Sequence, residues 1–600
     1  MKRSRWLAAR TVERFFEQLR KLPPPRNGYV VERGLRTPTR DGFVLVGDHY
    51  VPVVPDNHRA TILIRTPYGR GFPVDVLWAR TFAARGYHIV LQSCRGTHDS
   101  TGTFQPMVHE AADAQDTTVW LREQPWFNGA LATMGMSYLA FTQWALLADP
   151  PPELRASVMI AGPHDFSRAI WENGSFALET FLGWSVANTI SVNSNPSLAR
   201  QLARSRHAVR RLKAAVSRLP LAAEAELLLD GRAPWYREWL EHPDLTDPYW
   251  QGYDFTDALS RVSSPTLLVG GWQDIFVGQT IEQYHALHSR GIEVALTIGS
   301  WTHRDHVLKG SPVIDNQVLD WFDMHLGDGG RGRERHVYTF VTGCNAWRAS
   351  TAWPPNCTEI HWYPNDDGLL AATPPPGGQS RFRFDPYNST PSVGGRRLTS
   401  DAGVQNNAKL EARPDVLSFT SAELSADLEF EGFPLVEVCV SVDNPHADLF
   451  IRICDVDQNG RSHNITDTQV RLDETVPADA KQRITTRLSP CAHRLLRGHR
   501  LRLQLSGGAH PQYARNLGTG EPAATGTGRK EAVHTIHHAS TRLTLPLTAR
   551  TLPSGSAAPR HAGAAPRRLR AILQTCAGLR HARTHRAQPQ TRHPLPPARR

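Results

Sequence analysis

The sequence predicts two unlike domains in tandem: an α/β domain on a parallel sheet, interrupted by a helical insertion, and then an all-β domain. Three observations carry this. Short apolar runs alternate with helical stretches between Ala60 and Leu326, and apolar strands between helices mark a parallel sheet covered on both faces. The alternation breaks after Pro163, where residues Asp165 to about Arg261 read as helical, and resumes at Thr266. From His336 to Leu547 short strands rich in Val, Leu, Phe and Thr are separated by Pro, Gly, Asn and Asp. That pattern reads as a sandwich or jelly roll.

Length and charge bound the rest. A chain of 600 residues is too long for one core and implies about two to four domains. The net charge of +11 is carried by the end of the chain: eleven arginines and no Asp, Glu or Lys lie between Arg550 and Arg600, so residues 1–549 balance to zero. The tail reads as disordered, and the body makes no electrostatic case for nucleic-acid binding. No run of eighteen apolar residues occurs, so no membrane span is expected. The N-terminus is basic without an uninterrupted apolar core and does not read as a secretory signal. Trp6 to Leu22 reads as a basic amphipathic helix docked on the body. Seven cysteines, odd in number and without Cys-x-x-Cys, fit a reduced, cytoplasmic setting without structural zinc. A Cys344–Cys357 disulfide is left open.

The elements follow in order. After the basic helix at 1–28, Tyr29–Arg33 and Gly42–Val53 alternate as antiparallel strands around the turn Arg40-Asp41-Gly42. Ala60–Arg65 is a buried strand, followed by a helix at Val74–Arg85, a strand at His88–Gln92, a helix at Glu110–Glu123 and the strand entering Gly135. Arg155–Gly162 ends the first part of the α/β domain, residues 29–164. The helical cap occupies 165–261, with an Arg-rich stretch, Ser197–Leu229, that reads as a solvated face. The second part, 262–330, supplies the strand Thr266–Asp274, the helix Val277–Ser289, the strand Val294–Gly299 and a closing helix, Asn316–Leu326. The all-β domain covers 331–548, with strands such as Leu435–Val442, Leu449–Val456 and Leu501–Ser506, and the tail covers 549–600.

The stretch with chemistry is Met134-Gly135-Met136-Ser137-Tyr138-Leu139-Ala140. An apolar strand, Gly-x-Ser and then a helix is the arrangement of a nucleophile elbow, which lifts a serine hydroxyl above an α/β-hydrolase sheet. The bland reading is a serine N-cap. A serine nucleophile needs a base, and the base needs a carboxylate to fix its tautomer. In this fold both follow the serine, acid first, on loops after later strands. Asp274 directly follows an apolar strand and His303 lies in the loop after the next one. Asp274 read blandly is an N-cap for the helix at Val277. His306 is a rival base and Asp305 a rival acid. A second oxyanion donor is expected after the strand at Ile62, where Tyr68 offers one directed hydroxyl proton.

Several further motifs accompany these: Arg65-Thr-Pro-Tyr68, Cys94-Arg95-Gly96-Thr-His-Asp99, Asp113-Ala-Gln-Asp116, Gly271-Trp272-Gln-Asp274-Ile-Phe276 and Gly299-Ser-Trp301-Thr-His303, with Asp427–Gly432, Asp455–Ser462 and Asn516–Gly520 in the second domain. Together they resemble the CocE/NonD hydrolases, a group that includes cocaine esterases, α-amino acid ester hydrolases, glutaryl cephalosporin acylases and Xaa-Pro dipeptidyl-peptidases. The resemblance runs over about residues 29–548. It implies an α/β-hydrolase fold with a helical cap insertion, plus a C-terminal all-β jelly-roll (galactose-binding-like) domain. It also implies Ser137, Asp274 and His303 as the triad, and the Tyr68 hydroxyl with the Tyr138 N–H as the oxyanion hole. Ala140 departs from the family's usual glycine, Cys94 from a frequent valine and Ser300 from proline. None of these removes a reacting group, but Ala140 adds a methyl at a crowded turn.

The expected function is a serine hydrolase cleaving acyl esters or amides through an acyl-enzyme, with no metal or cofactor. Trp171, Phe176 and Phe276 are the expected acyl pocket. One alternative is release of Xaa-Pro dipeptides, which needs carboxylates for a free amine, with Glu172 the candidate. Another is a non-catalytic carbohydrate- or partner-binding protein using the β domain, against which the Ser–Asp–His order speaks. The partner expected is a small ester, amide or short peptide, and homo-oligomerisation is compatible with this reading.

Overall fold

The computed structural model describes residues 17–54, 60–191, 210–327 and 336–548. The basic tail, most of the segment expected as an N-terminal helix and part of the Arg-rich stretch lie outside the described residues. What is described of the N-terminal segment docks on the body: the buried Arg20 donates to Asp315 at 2.6 Å and to the Thr81 hydroxyl at 2.9 Å.

The first sheet has ten strands. These are β1 (Gly28–Pro38), β2 (Val44–Val53), β3 (Thr61–Thr66), β4 (His88–Ser93), β5 (Leu131–Met136), β6 (Leu154–Ile160), β7 (Thr266–Gln273), β8 (Val294–Thr302), β9 (Val337–Val341) and β10 (Ala346–Ser350). Their spatial order is β1-β2-β4-β3-β5-β6-β7-β8-β9-β10. The first pair is antiparallel about the expected turn, where Gly42 has φ +86°, a conformation costly for any residue with a Cβ. From β4 to β9 neighbours are parallel. Ile62 and Ile64 join the core on one face of the sheet, and Leu63 joins the core on the other. That is the two-sided burial implied by wholly apolar strands.

Three features differ from the sequence reading. The segment expected to be a regular helix at Val74–Arg85 is a π-helical turn, Asp75–Ala79, running into one α-helical turn, Arg80–Ala83. Arg80 clasps Asp75 at 2.7 Å, and a π-turn brings residues five apart onto one side. The closing helix begins five residues earlier than Asn316, at Ser311. Pro312 fits its first turn, where no N–H is needed. Residues 337–350, assigned from their strand-rich composition to the all-β domain, instead extend the first sheet: β9 runs parallel to β8 and pairs antiparallel with β10. Strand-rich composition carries no information on which sheet a strand joins.

The helices used below are α1 (Glu110–Arg122), α2 (Tyr138–Leu146), α3 (Leu178–Ser191), α4 (Leu221–Leu229), α5 (Trp235–Glu241), α6 (Val277–Ser289) and α7 (Ser311–Leu326). Helices α3 to α5 form the cap inserted between β6 and β7. Beyond β10 the described residues, to 548, are mainly β strands. One sheet centres on Leu435–Val442 and Arg542–Thr548, and a four-stranded sheet holds Val416–Thr420, Arg500–Ser506, Asp448–Val456 and Ser462–Arg471 in that spatial order with the last two antiparallel. Their shared core includes Val438, Val440, Leu449, Ile451, Ile453 and Leu503. The strand Ser462–Arg471 braces the hydrolase part. Gln469 donates to the Ser175 hydroxyl at 2.9 Å, and Gln273, beside Asp274, donates to the Ile465 carbonyl at 2.7 Å. No helix among the described residues is long and apolar enough to cross a membrane. Cys344 and Cys357 are free thiols.

Buried histidines make the fold sensitive to acid. Burial pushes His164 down to about 3, helped by the nearby Arg168, and pushes His534 down to about 4. Both pKa values are depressed on folding, so these sites contribute stability above the unfolded-state value and lose it as pH falls toward 4. The thermal midpoint should fall steeply between about pH 6.5 and pH 4, measurable by differential scanning fluorimetry. A flat midpoint across that window would contradict neutral burial.

Candidate active site

Ser137 stands between β5 and α2 with φ 62° and ψ −124°, a strained conformation for a residue with a side chain. The strain is held from both sides. Its N–H donates to the Ile160 carbonyl at 2.9 Å, and its own carbonyl accepts from the Ala140 and Phe141 N–H groups at 2.9 and 3.1 Å. Its side chain makes no capping bond to the helix, so the N-cap reading gains no support.

Small residues make this turn feasible. A Cβ on Gly135 would lie 2.5 Å from Leu139. The methyl of Ala140, the departure at the crowded elbow, is accommodated by Gly162, where a Cβ would lie 2.1 Å from Ala140 Cβ. Sequence reasoning weighed position 140 and overlooked its partner, because the two are joined only by the pairing of β5 with β6.

Tyr138 begins α2, so its backbone N–H has no acceptor within the helix and lies at the helix's positive end. Its side chain is locked below. The buried hydroxyl donates to Glu110 Oε1 at 2.8 Å and accepts from the Met107 N–H at 2.8 Å. Glu110 is held by the buried Arg65, whose Nη2 lies 2.9 Å from Glu110 Oε2 and whose Nη1 donates to the Glu110 carbonyl at 2.8 Å. Burial pushes the Tyr138 phenol well above its ordinary pKa, and the Glu110 charge adds to this. It therefore stays a neutral donor. This gives the Arg65-Thr-Pro-Tyr68 motif a physical role. Arg65 anchors Glu110 under the elbow, and the Thr66 hydroxyl accepts the Tyr68 N–H at 3.0 Å. Glu110 was legible only as the first residue of a helix.

Tyr68 sits over the elbow. Its hydroxyl accepts the Trp184 indole N–H at 3.0 Å, and its ring meets the Tyr138 ring edge-on with centroids 6.4 Å apart. Burial raises the phenol above its ordinary pKa, against the smaller opposing effect of the Trp184 bond, so a proton is available at neutral pH.

Asp274 lies fully buried at the end of β7. Its Oδ2 is 2.7 Å from His303 Nδ1, while its Oδ1 accepts the Phe276 N–H at 2.7 Å. The two readings of this residue thus share one side chain, with one oxygen closing the turn before α6 and the other facing the imidazole. Burial pushes the Asp274 pKa up, but the charge and hydrogen bond of His303 outweigh it and hold it below its ordinary value. The rivals are sorted by geometry. Asp305 accepts from the Thr302 N–H at 3.2 Å and the Thr302 hydroxyl at 2.9 Å in a capping box. His306 is buried, donates Nδ1–H toward the His303 carbonyl at 3.2 Å, and has Nδ1 3.7 Å from Asp274 Oδ2.

The expected acyl pocket divides. Phe276 meets the His303 ring edge-on at 5.6 Å and the Phe166 ring at 5.6 Å. Trp171 and Phe176 instead pack on each other at 5.1 Å, Phe176 also touching Tyr236. Both line a cavity of about 120 Å³ shared with Leu472 and Leu517 of the all-β domain. The rings that continue from Phe276 toward the elbow are Phe166, Phe181 and Trp184, through contacts Phe166–Phe181, Phe166–Tyr138 and Trp184–Tyr138. Spacing along the cap could not tell these aromatics apart, since which of them turns inward depends on how α3 docks. Glu172 is committed elsewhere: Arg396 donates to it at 2.7 Å and the Tyr513 hydroxyl at 2.7 Å.

Comparison with known proteins agrees with this architecture. Residues 41–305 match the X-Pro dipeptidyl-peptidase (S15 family) model, and residues 319–544 match the X-Pro dipeptidyl-peptidase C-terminal non-catalytic domain. The cocaine esterase of Rhodococcus sp. (strain MB1 Bresler) is 28% identical over 545 residues, covering 82% of this chain and 93% of that protein. Among solved structures, an aminopeptidase from a marine sediment Thaumarchaeota archaeon superposes with a TM-score of 0.75 at 21% identity, covering 88% of this chain and 97% of that one. A selenomethionine-labelled α-amino acid ester hydrolase superposes with a TM-score of 0.73 at 21% identity, covering 88% and 98%.

Proposed function

Since the chain belongs to the CocE/NonD family of serine hydrolases, we propose that it is an esterase working through an acyl-enzyme on Ser137. His303 takes the Ser137 proton as the hydroxyl oxygen attacks the ester carbonyl. Asp274 holds the His303 tautomer and faces the imidazolium that forms. The Tyr68 hydroxyl and the Tyr138 N–H receive the negative charge that develops on the carbonyl oxygen. Collapse of the tetrahedral intermediate expels the alcohol, protonated by His303, and water then releases the acid by the same steps.

The observation that carries this reading is the 2.7 Å contact of Asp274 with His303, joined through Phe276, Phe166 and Tyr138 to the elbow at Ser137. The acyl group would rest among Phe166, Phe181 and Phe276.

Release of Xaa-Pro dipeptides is favoured by the S15 family match and disfavoured by Glu172. A carboxylate already bound by a guanidinium and a phenol is a poor site for a substrate ammonium. Purified protein should hydrolyse p-nitrophenyl esters of short acids and leave Ala-Pro-p-nitroanilide intact. Faster turnover of the anilide than of every ester would reverse the order of the two readings.

A further inference from the structure

We infer that Trp184, contributed by the cap, is a positioning residue for the oxyanion hole: its indole N–H fixes the direction of the Tyr68 hydroxyl proton while its ring fixes Tyr138. This rests on the reading of Tyr68 and Tyr138 as oxyanion donors.

The geometry is specific. Trp184 Nε1 donates to Tyr68 Oη at 3.0 Å. The same indole lies nearly parallel to the Tyr138 ring, with centroids 6.1 Å apart and planes 9° apart. One side chain therefore touches both residues expected to supply the donors. The effect on Tyr68 follows from phenol chemistry. Conjugation keeps a phenolic O–H near the ring plane, which leaves two orientations for the proton. An N–H arriving along one of them occupies the lone pair there, so the proton turns to the other side. With the indole N–H on one side, the favoured orientation leaves the proton free on the other, where an oxyanion donor must present it. Without the indole donor, the hydroxyl samples both orientations and pays to reorient as charge develops, the cost that a preorganised donor avoids. An oxygen that accepts a hydrogen bond is also a better donor, since the bonds polarise one another.

Trp184 sits on α3, whereas Tyr68 follows β3. The cap is anchored in turn to the all-β domain: Arg397 donates to Glu179 at 2.6 Å, and the Glu179 N–H donates to the Pro511 carbonyl at 3.0 Å. The orientation of the oxyanion donor thus depends on the seating of a separate helical layer.

The test is a double-mutant cycle of Trp184→Phe and Tyr68→Phe on p-nitrophenyl acetate, with circular dichroism to confirm folding. Phenylalanine keeps an aromatic ring and removes only the N–H donor and part of the ring area. Tyr68→Phe should lower kcat by about 10²- to 10³-fold with little change in KM. Trp184→Phe in the wild-type background should lower kcat about tenfold and move KM less than about twofold. In the Tyr68→Phe background the same change should alter kcat less than about twofold, since the group it orients is gone. Inhibition by an alkyl boronic acid, whose serine adduct is tetrahedral and anionic, should weaken about tenfold in Trp184→Phe. Equal losses of kcat in both backgrounds would mean that Trp184 acts by packing, and would overturn the inference. A loss in Tyr68→Phe with none in Trp184→Phe would overturn it alone, and an unchanged kcat in Tyr68→Phe would overturn the donor assignment and this inference together.

Discussion

Ser137→Ala is expected to abolish ester hydrolysis and leave the thermal midpoint within a few degrees of the parent. In the proposed mechanism the serine oxygen forms the acyl-enzyme bond, and its removal from such sites costs about 10⁴- to 10⁶-fold in kcat. The stability side is decided by what the side chain does in the resting protein. It makes no capping bond to α2, and the turn is held by the backbone bonds from Ser137 to Ile160 and from Ala140 and Phe141 to Ser137. Alanine keeps the Cβ that already occupies φ 62°, so the backbone strain does not change. A serine acting as a cap would give the opposite pair of results, a loss of about 1 kcal/mol in stability and full activity. Turnover with p-nitrophenyl acetate, labelling by a fluorophosphonate and a melting curve read both arms. Full activity in the variant would end the assignment of Ser137 as nucleophile.

The ease with which this sequence can be read varies with how local each feature is. The span Met134–Ala140 around Ser137 and the apolar runs of β3, β4, β5 and β7 are decided by nearest neighbours and by burial, and they appear where the pattern puts them. Asp274 and His303 stand out in the sequence because the order of elements in an α/β sheet dictates which loops share a rim, which is topology and not local chemistry. Features that depend on pairing between distant segments were not legible. The accommodation of Ala140 by Gly162, the support of Tyr138 by Glu110 and Arg65, and the placement of residues 337–350 on the first sheet all rest on contacts between separate elements. The acyl pocket shows the limit most clearly. Trp171, Phe176, Phe181 and Trp184 lie within fourteen residues and have the same composition signal, yet Trp184 reaches Tyr68 while Phe176 faces the all-β domain. Trp171 and Phe176 pair across a hairpin that turns at Asn173-Gly174, where both residues adopt positive φ, whereas Phe181 and Trp184 ride on α3.

Asp274→Asn distinguishes the two duties that this side chain performs. Asparagine has the shape of aspartate and caps turns about as well, so the bond from the Phe276 N–H, 2.7 Å in the parent, should persist with the amide oxygen as acceptor. That leaves the amide NH₂ facing His303 Nδ1. An N–H donor there forces His303 to carry its proton on Nε2, the nitrogen that must be bare to take the Ser137 proton. The imidazolium that forms during attack also loses the anion that faces it across 2.7 Å. Wrong tautomer and lost charge together cost about 10⁴-fold in kcat in serine hydrolases of this type. The fold should suffer much less. The residue stays hydrogen-bonded on both sides, and removing a buried charge relieves the desolvation that opposes ionisation of Asp274. If Asp274 were only the cap of the turn before α6, Asn would be nearly silent in both turnover and stability. The experiment is therefore kcat on one p-nitrophenyl ester beside a thermal unfolding curve. A fall of about four orders of magnitude in rate with a midpoint shift of a few degrees supports the triad, and near-parent turnover removes Asp274 from it.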